Sequence, residues 1–260
     1  EDGGYLFWVD GILPKGYGVF SVEPASAGTD KTPVKAEDGV IDTPYYRIRL
    51  NEQGYPDSIY DKEAGRELVQ QGKCVNELQI FEDRPSQYDN WNLDASYREK
   101  MWGARLQTGP EVVETGPVRT CIRTVRHFLD SRIQQDMIVY PKSRRIDFVT
   151  DVDWRESQLF LKAAFPLEIT AGRAVYDIQF GSLERPTHTN TSWEQAKFEV
   201  CAHKWADLSE YGYGAAVLND CKYGYDIHGS VIRLSLLKSG IYPNPDADKE
   251  KHRFTYSLYP

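Results

Sequence analysis

The chain has 260 residues, of which 40% are hydrophobic and 13% aromatic, enough to build the core of one large domain or two small ones. Its formal net charge of −8 argues against binding nucleic acid, which needs a basic face, and against attraction to an anionic membrane. No apolar run approaches the roughly 20 residues of a membrane-spanning helix. These properties exclude nucleic acid and membrane as expected partners.

Alternation of apolar and polar residues dominates the chain, which is typical of strands with one buried face. The first predicted hairpin joins Tyr45–Leu50 to Ser58–Tyr60 across a turn that contains Gly54. A second joins Val118–Phe128 to Ile133–Tyr140. Further strands are predicted at Arg145–Trp154, Leu159–Leu167, Ala174–Phe180, Lys197–Trp205, Tyr213–Leu218 and Val231–Leu237.

The segment Arg145–Trp154 has the clearest strand pattern. Its period of two should point four large apolar side chains into a core, namely Ile146, Phe148, Val152 and Trp154. We expect Leu159–Leu167 to pair with it. Helix is predicted for one turn at most, at Ser192–Ala196. The long polar and aromatic connection Gln79–Gln107 is expected to be a functional or interface loop.

Many strands with closely spaced turns predict an all-β fold, a large antiparallel β-sandwich of two sheets packed face to face. We assign residues 1–260 to a single sandwich domain. The chain opens on the apolar run Tyr5–Val9 and stops on the strand-like run Phe254–Pro260, whereas natural termini are usually polar. We therefore expect that the domain belongs to a longer protein that continues beyond both ends.

Cysteine usage bears on the compartment. The four cysteines Cys74, Cys121, Cys201 and Cys221 are widely spaced and form no C-x-x-C pair, unlike a disulfide framework. We interpret them as reduced thiols and predict a cytoplasmic protein.

Several stretches, in order, resemble glycoside hydrolase family 38, the zinc-dependent α-mannosidases, and most closely its cytosolic and bacterial branch. The run that carries most of the resemblance reads Glu-Arg-Pro-Thr-His-Thr-Asn-Thr-Ser-Trp at 184–193. Others lie at 12–20, 60–67, 81–94, 198–210 and 218–224. Asn92 departs from the Asp that related sequences tend to carry, which argues against a fixed catalytic role there.

The resemblance implies that different domains of a longer enzyme have different roles. Zinc and the nucleophilic Asp would lie in an N-terminal α/β domain, followed by sandwiches resembling galactose mutarotase. The reaction would retain the anomeric configuration through a covalent glycosyl-enzyme. The present chain would then be C-terminal sandwich sequence with no catalytic residue and no cofactor of its own. Its partners would be the catalytic domain of the same chain and a mannose-containing glycan, and a homo-oligomer is compatible with the sequence.

The residues themselves give little sign of a catalytic centre. The five histidines show no zinc-ligand spacing. Asp151 and Asp153 lie on one strand face about 7 Å apart, a separation that suits inverting glycosidases. Solvated charges on the outer face of an antiparallel strand are the more ordinary interpretation.

Two polar segments are compatible with sugar contact. In the long connection, the candidate substrate-binding residues are Tyr88, Asp89, Trp91 and Asp94; in the turn after Leu218, they are Asn219, Asp220 and Tyr223. Aromatic rings can stack on a pyranose, and amide and carboxylate groups bond its hydroxyls. Trp91 could instead anchor its loop, and Asn219 and Asp220 could serve only the turn. We expect the two segments to lie near each other at one end of the sandwich.

Three functions remain open at this point. The favoured one is an accessory sandwich that packs on the catalytic domain of an α-mannosidase and completes one wall of its substrate site. The alternatives are an autonomous carbohydrate-binding module and a mutarotase-type epimerase, because fold alone cannot separate them. Glycan binding or aldose turnover by the chain itself would distinguish the alternatives.

Overall fold

The computed structural model describes residues 4–12, 14–21, 23 and 34–260, and these are almost entirely β-structure in three antiparallel sheets. The described helical segments are one short α-helix, α1, at Ser192–Gln195 and one 3-10 helix at Ala95–Glu99. The predicted all-β class and the single helical turn are therefore confirmed. Leu13, within the resemblance at 12–20, lies outside the described residues, and the assignment of 1–260 to one domain stays a prediction.

A five-stranded sheet is formed by consecutive strands in chain order. Its strands are β1 Lys35–Glu37, β2 Val40–Asp42, β3 Tyr46–Leu50, β4 Pro56–Asp61 and β5 Arg66–Glu67. The β3–β4 pair is the first predicted hairpin, in which Ile48 faces Ile59. Two sheets were expected, so this sheet is an addition to the predicted sandwich.

The nine-stranded sheet has the order β14-β13-β16-β17-β20-β11-β10-β9-β8. Its strands are β8 Arg105–Thr115, β9 Thr120–Phe128, β10 Ser131–Tyr140, β11 Ser143–Asp153, β13 Arg173–Ile178, β14 Gly181–Pro186, β16 Trp205–Glu210, β17 Tyr213–Asn219 and β20 Lys251–Tyr259. The second predicted hairpin is the β9–β10 pair, with Ile133 opposite Arg126.

The six-stranded sheet has the order β15-β18-β19-β12-β6-β7. Its strands are β6 Glu77–Glu82, β7 Met101–Gly103, β12 Leu159–Pro166, β15 Val200–Cys201, β18 Gly224–His228 and β19 Val231–Ser239. Every residue of β12 is buried, because its two faces are covered by different groups of side chains.

The main core lies between the nine-stranded and six-stranded sheets. Phe148 on β11 stacks on Tyr256 of β20 at 5.5 Å between ring centroids and reaches Phe165 of β12 at 6.1 Å. Trp154 is fully buried and its Nε1 donates to Ser239 Oγ at the end of β19. The four side chains predicted to face the core all do so, with exposures of 0–2%.

Three details of the predicted strands are wrong. Leu159–Leu167 does not pair with Arg145–Trp154: β12 pairs with β6 and β19 in the other sheet, whereas β11 pairs with β10 and β20. Sequence neighbours on the chain thus became partners across the core, because the chain crosses between sheets at the buried Trp154. Lys197–Trp205 is mostly irregular around the two-residue β15, and Gln79–Gln107 contains β6, the 3-10 helix and β7.

Four strands begin or finish together at one end of the sandwich, here called the Trp154 end. There β11 finishes at Asp153 and β20 starts at Lys251, its register partner. On the other sheet β12 starts at Leu159, opposite the last residue of β19, Ser239. The Trp154–Ser239 hydrogen bond joins these two sets of strand ends.

Candidate functional site

The loop that follows β6 is fixed to the Trp154 end by Asp89. This carboxylate accepts hydrogen bonds from the backbone N–H groups of Ile241 and Tyr242, at 2.9 and 2.8 Å. Burial of the Asp89 carboxyl raises its pKa, but the two N–H groups outweigh this and hold the pKa below its usual value. The Lys238 ammonium donates to the Asp89 carbonyl and pairs with Asp83 at 2.6 Å. Asp89 therefore anchors the loop, and its predicted contact with a sugar stays a prediction.

Three aromatic rings stand on the surface of this anchored loop. Tyr88 and Trp91 are 51% and 69% exposed, and their ring centroids lie 6.1 Å apart. Tyr242, from the segment that Asp89 holds, lies 5.8 Å from Tyr88. A cluster of exposed rings on a fixed loop is the arrangement that suits stacking against a flat ligand face.

The other polar residues of the loop bond the loop itself. Asp94 precedes the 3-10 helix and accepts from the Ser86 N–H at 2.8 Å. Asn92 donates to the Gln87 carbonyl, also at 2.8 Å. The side chains of Asp94 and Asn92 thus stabilise the loop, and its outward-facing groups are the rings.

In the turn after β17, too, the polar side chains bond the domain itself while an aromatic ring is exposed. Asn219 is buried, donates to Tyr225 Oη at 2.7 Å and accepts from the Lys222 N–H at 2.6 Å. Asp220 accepts from the Thr255 N–H at 2.9 Å. Tyr223 is 49% exposed, with its ring 5.7 Å from that of His203. Tyr223 is therefore the member of this turn whose aromatic ring is exposed.

Both predicted segments emerge at the Trp154 end. The turn follows the last residue of β17, Asn219, which pairs with Tyr256 in the middle of β20, and the chain runs from there toward the start of β20. The loop follows the end of β6, which pairs with Leu159 at the start of β12. Among the described residues, the hydrogen-bond partners of Asp89 and of Asn219 and Asp220 form separate sets. The segments share an end of the sandwich, and a common sugar-binding surface stays a prediction.

A cluster of charges that the sequence did not reveal lies on the outer face of the six-stranded sheet, the face turned away from the nine-stranded sheet. Lys162 of β12 is fully buried, and its ammonium pairs with Asp226 at 2.8 Å and with Glu199 at 2.6 Å. Tyr97 Oη donates to Asp226 at 3.1 Å. Arg233 approaches the other Asp226 oxygen at 3.2 Å. We call Lys162, Glu199, Asp226, Arg233 and Tyr97 the Lys162 cluster.

The pKa values in this cluster move as expected for buried ion pairs. Burial lowers the pKa of Lys162, but the Glu199 and Asp226 carboxylates outweigh it and raise the pKa above its usual value. Burial raises the pKa of Asp226, but Lys162 and Arg233 outweigh it and lower the pKa. For His228, burial and the nearby Arg98 lower the pKa below its usual value.

The signal that could have revealed Lys162 is a single lysine within an otherwise apolar strand, Leu-Phe-Leu-Lys-Ala-Ala-Phe-Pro. A buried lysine needs paired carboxylates. Its partners Glu199 and Asp226 come from sequence 37 and 64 residues away, and pattern reasoning does not identify partners at that range.

The described part of the chain contains no group of three or more His, Cys, Asp or Glu residues able to hold a metal ion. These residues therefore do not fit the zinc that the resemblance implies for the whole enzyme, and no chemistry of this chain is assigned to a metal. Asp151 and Asp153 form separate ion pairs, with Arg253 and Arg155. The described residues also include no helix long and apolar enough to cross a membrane.

The structure defines the class of the domain as an antiparallel β-sandwich with exposed aromatic rings on loops at one end, and the sequence comparisons identify its family. Residues 41–246 match the model of the glycosyl hydrolases family 38 C-terminal domain. Alpha-mannosidase G of Dictyostelium discoideum is 43% identical over 86% of this chain and 21% of its own length. Human alpha-mannosidase 2C1 is 38% identical over 87% of this chain and 22% of its own length. The chain therefore belongs to glycosyl hydrolase family 38, as its C-terminal domain.

Solved structures support the fold. An α-mannosidase from Enterococcus faecalis V583 superposes with a TM-score of 0.73 at 12% identity, over 90% of this chain and 30% of that one. The chain spans about a fifth of the length of the two named sequence relatives.

Replacing Lys162 should destabilise the fold strongly. In Lys162→Met the carboxylates of Asp226 and Glu199 lose their shared cation, and breaking a buried pair costs about 3–5 kcal/mol. The matched control is Lys100→Met, whose ammonium pairs with Glu82 at 2.8 Å but is 60% exposed. It should cost less than about 1 kcal/mol. Urea denaturation measures both, and equal losses would contradict the structural role of Lys162.

Stability should also depend on pH through Asp226. Its folded pKa lies below the ordinary value, so its contribution is present above about pH 4 and is lost as the pH falls through the folded pKa. Asp226→Asn removes this contribution, and its unfolding free energy should therefore fall less between about pH 5 and pH 2. The exposed Asp246→Asn variant is the control and should follow the parent chain. Parallel curves for all three proteins would show that Asp226 is not the responsible group.

Proposed function

We propose that this chain is the C-terminal part of an enzyme that hydrolyses α-mannosides with retention. The observation that carries the proposal is the family match, together with relatives that are named α-mannosidases. Retaining hydrolysis requires a nucleophile and an acid/base about 5–5.5 Å apart. We assign these groups, and the zinc, to the part of the enzyme outside this chain. The four unpaired cysteines support a cytoplasmic setting.

Within that enzyme, the Trp154 end would contact the catalytic domain and complete one wall of the substrate site. Trp91, Tyr88 and Tyr223 are the ring-bearing members of the predicted set and are all exposed. Asp89, Asp94, Asn219 and Asp220 would act by positioning these rings, since their polar groups bond backbone and side chains of the domain. The proposed mannose-containing glycan would thus meet aromatic faces, with the chemistry supplied from the other domain.

A second candidate function, an autonomous carbohydrate-binding module, is favoured by one observation. The Tyr88, Trp91 and Tyr242 rings form a cluster that this chain builds without help from another domain. A module of this kind would bind mannose-containing glycans as the isolated chain with the affinity of the whole enzyme. An accessory wall would bind them much more weakly, because half of the site would be missing.

The isolated chain should not hydrolyse an aryl α-mannoside, with or without added zinc. The described residues provide no metal-ligand group, and Asp151 and Asp153 each pair with a different arginine. The assay is chromophore release at high protein concentration. Zinc-dependent turnover that disappears in Asp151→Asn or Asp153→Asn would move catalysis into the sandwich and overturn the assignment.

In the enzyme that contains this chain, Trp91→Ala should lower kcat/KM for a mannose oligosaccharide roughly tenfold, a loss of about 1.4 kcal/mol. The effect should fall mainly on KM, because a stacking ring contributes to ground-state and transition-state binding alike. The control is Tyr211→Ala, an exposed ring on the β16–β17 turn at the opposite end of the sandwich. Unchanged kinetics in Trp91→Ala would remove this loop from the substrate site.

A further inference from the structure

A groove runs between the outer face of the six-stranded sheet and the five-stranded sheet. Its main cavity measures about 580 Å³, within the size range of small-molecule sites. A second cavity of about 370 Å³ adjoins it. Gln79, Met101 and Arg233 lie between them and line both.

The groove is separate from the predicted sugar-facing loops. Its walls include Pro166, the last residue of β12, and Val231, the first residue of β19. The Tyr88–Trp91 loop lies at the other end of these strands, beside Ser239 and Gly240. A ligand in the main cavity would therefore occupy a different surface from the proposed active-site wall.

The walls of the main cavity offer both hydrogen-bond donors and acceptors. Arg49 and Lys73 supply donors on the five-stranded-sheet side, next to the acceptors Asp57 and Glu77. Arg49 Nε pairs with Asp57 at 2.8 Å. Sugar hydroxyl groups donate and accept at the same time, so this mixture fits a polyhydroxylated ligand. Two of the three wall cations are already paired with carboxylates, Arg49 with Asp57 and Arg233 with Asp226. The groove therefore favours a neutral ligand over a phosphate or carboxylate.

The guanidinium of Arg233, which lines both cavities, is held in place by Gln79 and by the other members of the Lys162 cluster. Arg233 Nε donates to Gln79 Oε1 at 3.0 Å, and Gln79 Nε2 donates to Glu77 at 2.6 Å. Arg233 Nη1 meets Asp226, which Lys162 binds from the buried side. Because these contacts fix the guanidinium before any ligand arrives, little side-chain entropy is lost on binding.

The second cavity adds apolar surface to the groove. Phe81 and Met101 face each other as partners on neighbouring strands and line it together with Tyr97. A pyranose has hydroxyl groups at its edge and C–H groups on its faces. It can therefore hydrogen-bond polar walls while one face packs against an apolar surface. The geometry points to a saccharide-binding site in this groove, for a neutral oligosaccharide, outside the loops at the Trp154 end.

The test is calorimetric titration of the chain with a linear mannotetraose, and in parallel with inorganic phosphate. We expect the tetraose to bind and phosphate not to bind. Arg49→Ala and Lys73→Ala should each weaken tetraose binding roughly tenfold, the loss for one charge-assisted hydrogen bond. Both side chains are exposed, so the variants should fold, and circular dichroism verifies this.

Two controls locate the binding. Arg173→Ala removes another exposed arginine, paired with Glu184 at 3.1 Å on strands β13 and β14, and should bind like the parent chain. Phe180→Ala removes an exposed ring in the turn between β13 and β14, away from both proposed surfaces, and should also bind like the parent chain. The proposal is overturned if the tetraose does not bind, if phosphate binds in its place, or if Trp91→Ala abolishes binding while Arg49→Ala and Lys73→Ala do not. The measurement needs no catalysis, so such a result leaves the proposed mannosidase role intact.

Discussion

A lysine ammonium with no solvent exposure lies on the central strand of the six-stranded sheet, and the outer face of that sheet is organised around it. Desolvating Lys162 carries a cost of several kcal/mol, which only well-placed carboxylates can offset. Asp226 comes from β18, which is separated from β12 by β19, and Glu199 comes from the segment before β15. Tyr97, from the 3-10 helix, covers the pair. Segments far apart in sequence are thus held at one point.

The buried Lys162 cluster also distinguishes the inner face of the six-stranded sheet from its outer face. Inside the sandwich, alternate residues of β12 pack against aromatic rings of the nine-stranded sheet. Outside, Lys162 and its partners leave a rigid polar face on which Arg233 is fixed. The exposed rings of Tyr88, Trp91 and Tyr223 are carried instead by segments at the strand ends. One scaffold therefore supports a loop surface suited to docking and a groove suited to a hydrogen-bonding ligand.

The family match accounts for the loop surface more directly than for the groove. A C-terminal domain must meet the rest of its enzyme, and exposed rings on an anchored loop suit a shared substrate wall. The groove faces away from the sandwich core and involves β3, β4, β6 and β19. If both proposals hold, one glycan-processing enzyme would contact saccharide at two separate places in this domain.

Sequence alone determined the strands whose apolar residues alternate cleanly. Ile146, Phe148, Val152 and Trp154 were placed in the core because side-chain direction along a strand is fixed by its period of two. The family resemblance was also readable, because it rests on ordered local motifs. Hairpins were correct where a short turn determines the pairing, as at Gly54. The exposed rings of the 88–94 loop were found, although Asp89 proved to be an anchor.

Only the tertiary structure decided which strands share a sheet and which charges meet. Leu159–Leu167 and the preceding strand Arg145–Trp154 lie in different sheets because the chain crosses the core at Trp154. No local sequence pattern encodes that crossing. Lys162, Glu199 and Asp226 look like three unrelated charges in the sequence. They form one cluster because the pairing of β15, β18, β19 and β12 brings both carboxylates within 3 Å of the Lys162 ammonium. Local periodicity specifies the direction in which each side chain points, whereas long-range strand pairing specifies which residues it contacts.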